Sequence, residues 1–209
     1  MSPDDIANAS TVMSLGDMTR IIFVARWQGG AAGRFQEAAL RLYAERGYEQ
    51  TTVADIASEA GLTARTFFRH FADKREVLFA GSDFLKEALV KSVAEAPVTD
   101  DPMPAVAAAL DAAAQLLGRD HHHSSTRQSV IMSNAELRER ELIKMATLAA
   151  LLAGELRARG VPARDASLAA ESGAVVLRVA FEQWVAGPPD ADLREIMRET
   201  LARLTAVVG

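Results

Sequence analysis

Thr52, Thr63, Arg65, Arg69, His70 and Lys74 are the side chains whose types and spacing could do chemistry. All lie in residues 51–74, TTVADIASEAGLTARTFFRHFADK. They are hydrogen-bond donors and cations. The chain sets no nucleophile beside a positioned base, shows no metal-ligand spacing and has no glycine-rich phosphate loop, so catalysis is not their use. Donors and cations on short helices suit a polyanion. Arg65 near a helix start can pair with guanine O6 and N7, while Ala64 and the methyls of Thr63 and Thr66 can meet a thymine methyl. Arg65 held only by phosphate or solvent is the plainer alternative, and Arg69 follows one turn later with the same two options. Thr52 at a helix start can cap the helix, hold a phosphate, or do both.

These side chains need two short helices and a tight turn. Thr51 and Thr52 precede an apolar-periodic run, Val53, Ile56, Ala57 and Ala60, which gives a first helix one buried face. Gly61 follows where the chain must leave that helix, Leu62 can plug the corner, and Thr63 can cap the second helix. Phe67 and Phe71 fall at core spacing on the second helix. Two helices joined in this way hold the second in a DNA major groove.

The remaining pattern predicts an all-α fold of about nine helices, with no strands and no fixed-period repeat. Residues 33–47 read as a helix with Phe35, Ala38, Ala39, Leu42 and Tyr43 inward, ended by Gly47. Residues 74–95 read as one long amphipathic helix. Residues 96–104, APVTDDPMP, form the clearest break. Further helices are expected at 105–118, 127–133, 135–159, 163–186 and 191–207, with a polar loop at 119–126. The domains predicted are a flexible arm over 1–32 with a joint at Gly29-Gly30, a DNA-binding domain over 33–80, and an effector-binding and dimerisation domain over 81–209.

The formal net charge of −5 argues at first against a nucleic-acid partner. Its distribution reverses the argument: residues 61–75 hold Arg65, Arg69, Lys74 and Arg75 against Asp73 alone, so the acidity lies elsewhere. There is no cysteine. No apolar run approaches the roughly 18 residues of a membrane span, and the N-terminus has no secretory-signal layout. The expectation is a cytoplasmic protein without a cofactor.

The stretch AALRLYAERGYEQTTVADIASEAGLTARTFFRHFADKREVL resembles the DNA-binding domain of the TetR (tetracycline-repressor) family, through Gly47-Tyr48, Thr52, Ile56-Ala57, Ala60-Gly61, Phe67, Phe71 and Lys74. The resemblance implies a transcriptional regulator, most simply a repressor released by a small-molecule effector. It further implies that Lys74 anchors a phosphate and that His70 contacts the DNA backbone, against a packed role for His70 beside Phe71. Phe68 stands where such motifs commonly place a phosphate-binding tyrosine, and it cannot donate a hydrogen bond.

Beyond residue 80 the expectations are broader. Ala169, Ser172, Gly173, Val176 and Ala180 form a stripe of mostly small residues. With Leu193, Ile196, Leu201 and Leu204 they could pair with a second copy as a four-helix bundle, which matches a palindromic operator. Phe84, Leu110, Leu117, Met132, Met145, Leu148, Phe181 and Trp184 could line an effector pocket, with a filled core as the plain alternative. His121, His122 and His123 are adjacent and would point in different directions, so they read as a polar loop and not as a metal site. A helical ligand-binding or scaffolding protein that has lost DNA binding is the competing reading.

Overall fold

The computed structural model describes residues 30–208. These residues form nine α-helices and one 3-10 turn: α1 (Ala31–Arg46), α2 (Val53–Glu59), α3 (Ala64–His70), the turn Glu76–Phe79, α4 (Ser82–Glu95), α5 (Met103–Leu117), α6 (His121–Ser133), α7 (Ala135–Ala158), α8 (Ala163–Ala186) and α9 (Leu193–Val208). The arm expected over 1–32 lies outside the described residues except for Gly30, Ala31 and Ala32, and the last two already belong to α1.

Two apolar clusters organise the chain. The first, the head, gathers α1, α2, α3 and the 3-10 turn around Phe35, Phe67 and Phe71, whose rings meet pairwise at centroid distances of 5.2 to 6.2 Å. The second, the body, packs α4, α5, α7, α8 and α9 around Val93, Val106, Leu156, Val176 and Trp184. Trp184 is fully buried, and its indole N–H donates to the Ala191 carbonyl at 2.9 Å. The clusters are not cleanly divided at residue 80. Val130 and Ile131 from α6 and Leu137 from α7 are buried in the head's core.

Three expectations are corrected. Residues 74–95 are not one helix. Val77, Leu78 and Phe79 are all buried, and three consecutive residues cannot share one face of an α-helix. The chain makes a 3-10 turn there and is interrupted at Gly81, whose φ of 91° favours glycine, before α4 begins. Residues 119–126 are largely helical. The Asp120 carboxylate caps the His123 amide at 2.9 Å, so α6 starts at His121, and the His121 ring stacks edge-on against Trp184. The third correction concerns the small-residue stripe. Ala169, Gly173, Val176, Ala180 and Leu193 are buried within their own chain, and Ser172, Ile196, Leu201 and Leu204 are half-buried, the last three against the body's core. A Cβ on Gly173 would lie 2.7 Å from Val106 Cγ1, so the stripe serves the close approach of α5 and α8. The large apolar residues that α8 leaves exposed are Leu168, Val175 and Val179.

Candidate nucleic-acid interface and its link to the body

α2 and α3 are built by local capping. Thr52 and Asp55 form a reciprocal capping box: the Thr52 hydroxyl accepts the Asp55 amide at 3.1 Å, and the Asp55 carboxylate accepts the Thr52 amide at 2.8 Å. The Thr52 hydroxyl, which also donates to the Asp55 carboxylate at 2.6 Å, and the Thr52 amide together hold that carboxyl below its ordinary range. At the far end of α2, the Leu62 amide reaches the Ala57 carbonyl and the Gly61 amide reaches that of Ser58, a paired closure that needs the positive φ of 63° at Gly61. Leu62 then packs on the head's core.

α3 opens with the Thr63 hydroxyl accepting the Thr66 amide at 3.1 Å, while the two hydroxyls lie 3.0 Å apart. Thr63→Ala should cost about 1 kcal/mol of stability through the lost cap, read as a lower midpoint in urea denaturation. Phe67 is fully buried on the inner side of α3. Arg65, Phe68, Arg69 and His70 face outward, with Ala64 and Thr66 half-buried on the flanks. Neither Arg65 nor Arg69 is committed to a partner among the described residues. The helix therefore shows solvent two guanidinium groups one turn apart. His70 is exposed, yet its ring lies 6.4 Å from Phe35 and 6.2 Å from Phe71, so it also covers the edge of the aromatic core.

Lys74 departs from expectation. It does not open a helix, and its ammonium does not stand free for a phosphate. It donates to the carbonyls of Tyr48 at 3.0 Å and Thr51 at 3.4 Å, and lies 4.1 Å from the centre of the Tyr48 ring. The Tyr43 hydroxyl returns a hydrogen bond to the Lys74 carbonyl at 2.7 Å. Burial pushes both tyrosine phenols well above their ordinary range, which keeps Tyr43 a neutral donor. Lys74 thus clips the loop before α2 to the loop after α3 and fixes the angle at which α3 is presented. The Tyr43, Tyr48 and Lys74 clip was not legible beforehand, because it joins positions far apart in sequence.

A second group ties the head to the body. Glu76 on the 3-10 turn is paired with Arg140 and with Lys144 of α7, the latter at 3.2 Å. Arg127 of α6 donates to the Leu78 carbonyl at 2.9 Å and lies 5.2 Å from the Phe79 ring centre. Asn134, between α6 and α7, donates to Glu49 at 3.0 Å. Partial burial pushes the Glu76 carboxyl up, but the hydrogen bonds and charges of Arg140 and Lys144 outweigh it and leave the group below its usual value. Asp73 is held low by the hydrogen bond from Arg75. A depressed carboxyl contributes stability that is present above its unfolded value, 4.5 for Glu76, and lost as pH falls through the folded value. Urea midpoints should therefore fall as the pH drops below about 4.5, and Glu76→Gln should flatten that fall.

The body contains a small apolar void, of about 10 Å³, lined by Leu89 of α4, Leu110 of α5, Met145, Leu148 and Leu152 of α7, and Leu177 of α8, among others. Of the expected pocket residues, Leu110, Met145 and Leu148 are there. Phe84, Leu117, Met132, Phe181 and Trp184 are not part of its wall: Met132 is exposed, Leu117 and Phe181 pack on the body's core, and Trp184 is a closed core residue. The void is about the size of one water, far below the ~300–1,000 Å³ that holds a small-molecule ligand.

A capped two-helix unit with a fixed presentation angle and an outward cationic helix is a helix-turn-helix nucleic-acid reader. The sequence pattern of bacterial regulatory proteins of the tetR family matches residues 36–80, and that of the MftR C-terminal domain matches residues 100–209. The chain belongs to the TetR family of transcriptional regulators. No described helix is long and apolar enough to cross a membrane. Among curated relatives, the HTH-type transcriptional regulator TcmR of Streptomyces glaucescens is 40% identical over 81 residues, 39% of this chain; the match spans only 34% of that relative's length. Among solved structures, the fatty acid degradation regulator FadR of Bacillus halodurans shares the fold, with a TM-score of 0.58, 20% identity, and coverage of 84% of this chain and 95% of that one. Thermus thermophilus FadR, a repressor solved in complex with lauroyl-CoA, gives a TM-score of 0.53 at 25% identity over 83% of this chain and 93% of that one.

Proposed function

We propose that the protein is a homodimeric, sequence-specific repressor whose operator is palindromic and whose DNA binding is weakened by an apolar effector in the body. The observation that carries the reading is the outward pair Arg65 and Arg69 on a helix anchored from behind by Phe67. Thr63, Ala64, Thr66 and His70 flank that helix face, Thr52 caps the helix before it, and Lys74 supports it from within the head. A two-fold dimer doubles a short reading helix into two half-sites. Leu168, Val175 and Val179, exposed along one side of α8, are the apolar residues available for pairing. Val175→Arg should shift the light-scattering mass from two chains towards one.

The lever in this reading is α7, not the 74–95 segment, because that segment is broken at Gly81 and is not one helix. α7 supplies Met145, Leu148 and Leu152 to the void. The same helix gives Leu137 to the head's core, and Arg140 and Lys144 to Glu76. An effector enters only by parting the body helices, and parting them moves α7. Its differential affinity for the two states sets how far DNA binding falls. The wall of the void offers alkyl surface and hardly any hydrogen-bonding group, which suits an acyl chain such as the one held by the Thermus thermophilus relative. The reading is tested by selecting binding sites from random duplex and then titrating lauroyl-CoA against the bound complex. An enriched inverted repeat, released by the acyl-CoA, is the expected outcome. Enrichment without symmetry would remove the dimer, and an unaffected complex would remove this effector class.

A further inference from the structure

The reading helix carries two parallel strips, and only one of them is cationic. Arg65 and Arg69 form the first. Ala64 and Phe68, also one turn apart, form the second, and Phe68 is 58% exposed. Its ring rests edge-on against Phe67 at 5.6 Å, which fixes its position on the helix without covering its outer face. An aromatic left open beside two uncommitted guanidinium groups is continuous with the surface that meets DNA. A phenyl ring neither donates to nor accepts from a phosphate. In the major groove its complement is the C5 methyl of thymine, the one apolar group that a base edge presents there.

We infer that Phe68 is a specificity-determining residue that reads thymine, its ring seated on a thymine C5 methyl next to the base or phosphate engaged by Arg65. This rests on the regulator reading and names part of what its operator must contain. Phe68 acts through apolar contact, so it adds preference for thymine without adding a phosphate contact. Its removal should leave the salt dependence of binding almost unchanged.

The test uses the full chain and duplexes that the wild-type protein enriches from a random pool. Each thymine is replaced singly by deoxyuridine, which removes the methyl and keeps base pairing. Wild-type affinity should fall about three- to fivefold at one thymine in each half-site, the scale of one buried methyl. Phe68→Ala should bind the parent duplex more weakly, be indifferent to that replacement, and keep the wild-type slope against salt. Phe68→Tyr, which keeps the ring, should retain the response to the replacement. Equal sensitivity in wild type and Phe68→Ala, or no sensitive thymine at all, would overturn this inference alone. Failure of the pool to enrich any sequence would overturn the regulator reading, and the inference with it.

Discussion

Phe67→Ala lowers the stability of the head by about 3–5 kcal/mol, the expected cost of truncating a fully buried aromatic. Phe67 shows no exposed surface, meets Phe35 and Phe71 at 5.2 Å each, and is the only fully buried residue on the inner side of α3. Its loss leaves a cavity at the centre of three helices and frees α3 from the surface that aims it. Domains of this size are stable by about 5–15 kcal/mol, so the variant sits close to its unfolding threshold. Urea denaturation followed by circular dichroism should show a much lower midpoint, and duplex binding should vanish under conditions where the wild type binds. A shift under about 1 kcal/mol would mean that α3 is held mainly by its caps and by the Lys74 clip.

Arg65→Ala is the complementary case, with little effect on folding and a large one on recognition. The side chain is exposed and engages nothing among the described residues, so denaturation midpoints should stay where they are. A bidentate arginine–guanine contact contributes about 1–3 kcal/mol of discrimination. Affinity for the selected operator should accordingly drop by about 5- to 150-fold at 25 °C, with a smaller loss on unrelated duplex. If both affinities fell by the same factor, Arg65 would be a phosphate contact, and base reading would pass to Arg69 and the Phe68 strip. The ratio of the two losses, not either loss alone, separates these roles.

The head was legible in the sequence because its determinants are local. Thr52 before the apolar-periodic run, Gly61 at the corner, Thr63 before an amphipathic turn, and Phe67 with Phe71 each encode one hydrogen bond or one buried face within a few residues; the reciprocal bond to Asp55 was not read. Most helix boundaries in the body followed from the same periodicity and from Gly160, Pro162 and Gly187. The errors came where tertiary contacts decide. Val77 to Phe79 bury together because the turn packs on α1, with Arg127 of α6 over Phe79, which turns an apparent helix start into a 3-10 turn. The stripe at Ala169, Gly173, Val176 and Ala180 has the composition of an intermolecular seam, but Val106 already occupies it. Lys74 has the composition of a phosphate anchor, but the carbonyls of Tyr48 and Thr51 reach it first. A pocket cannot be read from apolar residues alone, since Trp184 and Met145 look alike in sequence while one is sealed in the core and the other lines the void.

The regulator reading also orders the roles of the two halves. The head supplies chemistry that is nearly independent of its neighbours, whereas the body supplies the equilibrium that sets how the head is presented. Glu76, Arg127 and Leu137 lie where the two meet. Substitutions there should change the response to effector more than the affinity of the effector-free protein, since none of the three faces the reading surface.

The most direct test of the central claim is a fluorescence-anisotropy titration with duplex from upstream of the protein's own gene, at two salt concentrations, against unrelated duplex as competitor. Binding that withstands a large excess of competitor, weakens with salt and loses its sequence preference in Arg65→Ala is the predicted result. Binding that competitor erases as readily as unlabelled upstream duplex, there and on duplexes selected from a random pool, would contradict it and leave a helical protein whose reading head no longer reads.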